Sequence, residues 1–259
     1  MSGLLSERTG HVLHLRLNRP EVRNALNAEL IRDLTAAFEG VKDERCVVLS
    51  GEGRSFCAGG DLQWMQSSVN LSEEENLEDA RKLGRMFEAI DACPCPVVAT
   101  VHDAVFGGGI GIVAACDVVF AAEGTRFSFS EVKLGLAPSV ISRYALRKIG
   151  ESAARRYFLT AEVFGAEEAQ RIGLVHEVMP HDHLRARAEE VVRAILLAGP
   201  QAVRAAKSLV REQASAQDSP SAADRCAALL ARLRVSEEGQ EGVKAFLEKR
   251  PAAWATESG

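Results

Sequence analysis

Short apolar runs of strand length alternate with longer amphipathic stretches as far as Val178, and this alternation constrains the fold most. His11 to Leu17 reads as a strand through Val12, Leu13, Leu15 and Leu17, and Asn18-Arg19-Pro20 ends it. Asn27 can cap a helix from about Ala28 to Gly40, whose apolar face is Leu30, Ile31, Leu34 and Phe38. Cys46 to Ser50 is a short buried strand. Residues 66 to 76 are polar and read as a loop, and Glu74 to Asp91 then carries Leu77, Leu83, Met86, Phe87 and Ile90 at helical spacing. Pro94 and Pro96 lead into a strand at Val97 to Val101. Gly107 to Gly109 open a small-residue helix reaching about Cys116, followed by strands at Val118 to Ala121 and Arg126 to Phe129. Helices over Ser139 to Ile149 and Glu151 to Leu159 break at Gly150. A helix near Ala166 to Arg171 and a strand at Leu174 to Val178 complete the series. This order predicts an α/β layered architecture.

Beyond Asp182 the chain is nearly all helical, with interruptions at Gly199-Pro200, Ser219-Pro220 and Ser236. Leu229, Leu230, Leu233, Val243, Phe246 and Leu247 there need a surface, from the core or from a partner subunit. The division expected is a core at 1–197 and a helical region at 198–259. A net charge of -5 argues against nucleic acid as a partner. Met1 to Gly10 holds Glu7 and Arg8 without an apolar run, and no stretch reaches the roughly 20 apolar residues of a membrane span. A soluble, cytoplasmic protein with no membrane partner is expected. The six cysteines read as free thiols. Cys93-Pro94-Cys95-Pro96 lacks a second ligand pair at zinc spacing, so no metal is expected. His181 and His183 flank Asp182 in a polar turn that suits a helix start.

Three segments can carry chemistry. In Gly53 to Leu62, small residues lie between a strand and a helix. Backbone amides there can bind developing negative charge, or the segment is a tight turn. The Gly-Lys-Ser/Thr ending of a phosphate loop is absent. In Ala104 to Gly111, Gly107, Gly108 and Gly109 follow a strand and open a helix, whose terminus offers free amides. Close helix packing explains those glycines equally well. In Phe127 to Ser139, Glu131 stands in a largely apolar stretch. Buried, it would exchange a proton near neutral pH; exposed, it would pair with Lys133 or Lys148.

Together these segments resemble the crotonase, or enoyl-CoA hydratase/isomerase, family. The likeness starts at Asn18-Arg19-Pro20 and Asn24-Ala25-Leu26-Asn27 and continues through Cys57 to Leu62, Gly107 to Asp117 and Glu131 to Pro138. It ends with Phe246 and Lys249-Arg250-Pro251, covering essentially the whole chain. The resemblance implies a spiral of ββα units with a C-terminal helical trimerisation region, as a homotrimer or a dimer of trimers. It implies an acyl-CoA substrate and no separate cofactor, because coenzyme A is part of the substrate. It further implies catalytic roles for Glu131 and for the backbone amides of Gly60 and Gly108, which would hold the thioester oxygen. Arg23, Ala25, Ala58, Asp61 and Leu62 would line the coenzyme A site, with Phe246 and Lys249 contributing from the C-terminal region.

Two departures bear on the reaction. The family's hydratases place two glutamates around the water; Glu131 matches the second, but the first falls on Gly111. A single carboxylate is the arrangement of the family's double-bond isomerases. In contrast, Ala104 to Phe106, Ser130 to Ser142 and Arg234 to Pro251 look like the branch holding bacterial 3-methylglutaconyl-CoA hydratases of leucine breakdown and isohexenylglutaconyl-CoA hydratases of terpene breakdown. A glutaconyl carboxylate would call for a cation, with Arg81, Lys82 and Arg143 as candidates. A polar residue of 66–82, Ser139 or the substrate's own carboxylate would replace the missing glutamate. Asp103 stands where the family commonly has glycine, and can cap the adjacent turn.

Overall fold

The computed structural model describes residues 2–215 and 220–256. Its architecture is mixed α/β, with ββα units repeating along the chain. Strands β1 (Leu4–Thr9) and β2 (Val12–Leu17) precede helix α1 (Ala28–Glu39). Next come β3 (Cys46–Gly51), α2 (Leu62–Ser68) and α3 (Glu73–Asp91). The unit β4 (Val97–Val101), β5 (Ala104–Phe106) and α4 (Gly108–Ala115) follows. The next unit is β6 (Val118–Ala122), β7 (Arg126–Ser128) and α5 (Ser139–Thr160). Then come β8 (Phe164–Gly165), α6 (Ala166–Arg171) and β9 (Glu177–Met179). The chain ends with α7 (Leu184–Leu197), α8 (Pro200–Ser215), α9 (Pro220–Val235), α10 (Glu237–Leu247) and α11 (Ala253–Thr256).

The first strand of each unit joins a six-stranded sheet, in the order β1-β2-β3-β4-β6-β9. The second strands of the two later units join a small sheet, β5-β7-β8. Side chains alternate across a strand, and both faces of the large sheet are covered. Leu13, Leu15, Leu17, Val47, Leu49, Val97, Ala99, Val101, Val119 and Ala121 face the main core. Val12, Cys46, Val98 and Phe120 face the other way, onto Leu184, Ala188 and Val192 of α7. Each fully buried leucine or valine here contributes about 1.5–3 kcal/mol over its exposed state.

Local chemistry sets the helix starts. The Asn27 side chain accepts the Leu30 amide at 2.9 Å, and α1 buries the expected face of Leu30, Ile31, Leu34 and Phe38. Gly150 breaks α5 with a non-helical backbone, as the sequence suggested. The expected loop over 66–76 is corrected: α2 runs to Ser68 and α3 starts at Glu73. Asp61 starts the first helix by accepting the Gln63 and Trp64 amides, and Ser72 and Glu75 form a capping box that starts the second.

Other strand expectations also shift. β1, which the sequence concealed, is an edge strand whose side chains mostly face solvent, so it lacks alternation. The last strand is Glu177–Met179, because Leu174 and Val175 donate their amides to Ala169 at the end of α6 and are buried there.

The helical C-terminal region is tied to the core by charge. Lys207 reaches Asp117 at 2.6 Å, Arg211 reaches Asp91 at 3.1 Å, and Arg204 donates to the carbonyls of Lys42 and Glu44. Among the described residues no helix is long and apolar enough to cross a membrane. Among them, too, no group of three or more His, Cys, Asp or Glu can hold a metal ion.

Candidate active site

The two glycine segments lie side by side. Cys57 bridges Val105 in parallel, with the Cys57 amide donating to Ala104 O at 3.1 Å and the Phe106 amide to Cys57 O at 3.0 Å. On its other side the first segment meets Leu26. The Leu26 amide donates to Gly59 O and the Asp61 amide to Leu26 O, each at 2.8 Å. Gly107 has φ +47°, a conformation that suits glycine, and Gly108 is the first residue of α4. A side-chain carbon added at Gly107 would stand 3.9 Å from Gly59 Cα and 3.6 Å from Glu131 Oε1. Gly59, Gly107 and Glu131 are therefore one cluster. Among the described residues, the amides of Gly60 and Gly108 donate to no protein acceptor.

Glu131 opens a 3-10 turn, Glu131–Leu134, after β7. It is half-buried, and its Oε2 is buried with no hydrogen-bond partner. Burial pushes its carboxyl above the ordinary carboxylate range. The alternative pairing with Lys133 or Lys148 is not formed; Lys148 Nζ is itself buried without a partner. A buried carboxylate with a raised pKa beside unengaged amides can move a proton while those amides stabilise an oxyanion.

The other residues singled out in the sequence occupy varied positions. Asp61 is buried and caps α2, while its Oδ2 accepts from Arg19 Nη2 at 2.8 Å. Burial alone would raise the Asp61 carboxyl, but Arg19 and the two capped amides outweigh it and hold it below the usual range. Arg23 is exposed with φ 54°, and its carbonyl accepts the Ala58 amide at 3.0 Å. Ala25 is buried, and Arg19 Nη1 donates to its carbonyl. Leu62 opens α2 and is 79% exposed. Phe246 is 82% exposed on α10, which packs on α9, and Lys249 follows with φ 53°. Ser139 is exposed at the start of α5. Arg81 and Lys82 are exposed, Arg81 lying 3.7 Å from Glu78; Arg143 lies over the Tyr144 ring at 5.0 Å.

Sequence reasoning missed what fills the space at Gly111. A carbon added there would collide with Ile141 Cγ2 and come within 2.7 Å of Phe87 Cε1 and Cζ. Phe87 and Ile141 are buried, so an apolar wall stands where a second acid would project. Helical spacing marked Phe87 as core, and nothing in the sequence showed that it and Ile141 face Gly111. Gly111→Glu is expected to lose at least about 3 kcal/mol in a urea titration, through overpacking and a buried charge, with no gain in turnover.

Comparisons with known proteins show the family and the fold. The profile of the family described as enoyl-CoA hydratase/isomerase matches residues 7–257. The chain belongs to that family. It is 34% identical over 255 residues to the 2,3-dehydroadipyl-CoA hydratase of Escherichia coli, covering 96% of this chain and 97% of the relative. It is 33% identical over 254 residues to the crotonyl-CoA hydratase of Syntrophomonas wolfei, covering 96% of both chains. The crystal structure of an enoyl-CoA hydratase from Shewanella pealeana superposes with a TM-score of 0.93 at 36% identity, covering 97% of this chain and 96% of that one. The mixed α/β fold described above is therefore the crotonase fold.

Proposed function

We propose that this crotonase-family chain catalyses reversible hydration of a 2-enoyl-CoA thioester. The observation that carries the reading is the buried, unpartnered Oε2 of Glu131 beside the two glycine segments. The thioester oxygen docks on the Gly60 and Gly108 amides. Glu131 takes a proton from water as the water oxygen bonds to C3, the electron pair moving through C2 to the thioester oxygen. The resulting enolate collapses as Glu131 returns the proton to C2, and one water has been added across the double bond. Run backward, these steps dehydrate a 3-hydroxyacyl thioester.

Coenzyme A is carried on the substrate, so no separate cofactor is needed. Its phosphates would face the exposed Arg23, and its adenine and pantetheine would follow the backbone around Ala25, Ala58, Asp61 and Leu62. Phe246 and Lys249 would come from a neighbouring copy in a trimer or a dimer of trimers. The exposure of Leu230, Val235, Val243, Phe246 and Leu247 on α9 and α10 supports such a neighbour. The acyl group proposed is a branched 3-methylglutaconyl type, resting on the likeness of Ala104 to Phe106, Ser130 to Ser142 and Arg234 to Pro251 to that branch.

A second reading, a double-bond isomerase with Glu131 as the single base, is favoured by the apolar wall at Gly111. Purified protein incubated with 3-methylglutaconyl-CoA, crotonyl-CoA and a 3-enoyl-CoA separates the two. Hydration adds the mass of one water and removes the conjugated thioester absorbance. Turnover of the 3-enoyl substrate alone, at constant mass, would overturn the hydratase reading.

A further inference from the structure

The three stretches that carry Gly60, Gly108 and Glu131 start from one node. Ser55 stands five residues before Gly60, Asp103 five before Gly108, and Arg126 five before Glu131. The stretches run parallel: the first two share one register, while Arg126 and Glu131 each stand one residue past the positions that the β5–β7 pairing sets opposite Asp103 and Gly108. Cys57 bridges Val105, and β5 pairs with β7 so that Ala104 faces Arg126 and Phe106 faces Ser128. The Cys57–Val105 separation along the chain equals that of Ser55–Asp103 and of Gly60–Gly108. A register held at one end is thus delivered at the other.

At the node, the Ser55 hydroxyl donates to Asp103 Oδ2, and Arg126 Nη2 donates to Asp103 Oδ1 at 3.2 Å. The Arg126 amide donates to Asp103 O at 2.8 Å, and the Phe56 amide to His102 O at 3.0 Å. Ser55 is fully buried, so its hydroxyl has no ready water to replace the carboxylate. Asp103 holds φ 54°, a left-handed conformation that glycine adopts without strain. The aspartate keeps a charged acceptor at a position where glycine would carry less strain, although aspartate tolerates it better than most residues. The Ser55 hydroxyl, with Arg126 adding to it, holds the Asp103 carboxyl below the ordinary range.

We propose that Asp103 is a positioning residue: its carboxylate binds Ser55 and Arg126 so that the three parallel stretches end with Gly60, Gly108 and Glu131 set against one another. The inference rests on the roles given to those three groups above. A slip of one residue moves a strand end by ~3.3 Å, far more than a hydrogen bond to an oxyanion tolerates. Smaller relaxation at the node would loosen the donors without emptying the thioester site.

Asp103→Gly, Asp103→Asn and Ser55→Ala, compared with the unaltered enzyme, test this. The readouts are kcat, KM, Tm and the Kd values of two thioesters. Butyryl-CoA is saturated and uncharged at the acyl group; acetoacetyl-CoA forms an enolate with charge on the thioester oxygen. In Asp103→Gly the backbone is relieved, so Tm stays within about 5 °C and butyryl-CoA affinity within about twofold. Its kcat and its acetoacetyl-CoA affinity fall by about tenfold or more. Ser55→Ala shows the same split, and Asp103→Asn, which still accepts from Ser55, recovers most of the loss.

The proposal is overturned if Asp103→Gly keeps kcat and enolate preference within about twofold of the unaltered enzyme. It is also overturned if both fall only in step with Tm and butyryl-CoA binding. Should the unaltered enzyme hydrate nothing, the hydration reading fails by itself, and the ratio of acetoacetyl-CoA to butyryl-CoA affinity still decides the role of Asp103. Binding of neither thioester by the unaltered enzyme overturns both.

Discussion

Replacing Glu131 with Gln is expected to lower kcat by about 10²–10⁴-fold while substrate binding changes little, because the amide keeps the shape and cannot accept the proton. The same variant carries a second, independent signature. Burial raises the Glu131 carboxyl, so the folded chain holds this proton more tightly than the unfolded chain does. Its contribution to stability is fully present below the ordinary carboxylate range and is lost as pH rises through the raised value. Glutamine has no charge to bury. Glu131→Gln should therefore match the unaltered enzyme in Tm at a pH below the ordinary carboxylate range and exceed it at a pH above the raised value. Circular-dichroism melts at the two pH values, beside initial rates, check both halves. A Tm difference that ignores pH, with turnover within about tenfold of normal, would place this carboxylate in solvent and away from the reaction.

Much of this arrangement was legible in the sequence because its signals are local. Asn27 and the face of Leu30, Ile31, Leu34 and Phe38 mark α1 from local sequence alone. Gly150 divided α5 at the expected residue. Glu131 stood out as a carboxylate in an apolar stretch, and its buried Oε2 has the environment that signal suggests.

What escaped depends on contacts between distant residues. β1 is held by pairing with β2, and its outward face reads as loop. The helix start at Asp61 was legible, but the end of α2 at Ser68 and the start of α3 at Glu73 fell inside the stretch read as loop, where polar composition hid them. That Phe87, Ile141 and Gly111 meet comes from packing among α3, α5 and α4, which spacing cannot reveal. Asp103 was visible as an oddity, but its link to Ser55 and Arg126 required the register of three strands.

Gly108→Ala should be far more damaging than Gly60→Ala, although both glycines offer the same chemical group. A Cβ at Gly108 would stand 2.7 Å from Leu26 Cδ1. Leu26 is fully buried, and its backbone grips the other glycine segment through Gly59 O and the Asp61 amide. Displacing Leu26 therefore disturbs both glycine segments at once. A Cβ at Gly60 meets Met65 Cγ and Sδ at 3.4 Å, and a flexible thioether can yield. The expected loss in kcat is about 10²–10³-fold for Gly108→Ala, the scale of removing one oxyanion donor, and under about tenfold for Gly60→Ala. The steric origin predicts a rescue. Adding Leu26→Ala to Gly108→Ala removes the clashing methyl and should recover part of kcat, even as the smaller core residue lowers stability by about 2–5 kcal/mol. Steady-state kinetics on the three variants decides the point. Equal activity in the two glycine variants, or a double variant no faster than Gly108→Ala alone, would mean that Leu26 does not couple the two amides.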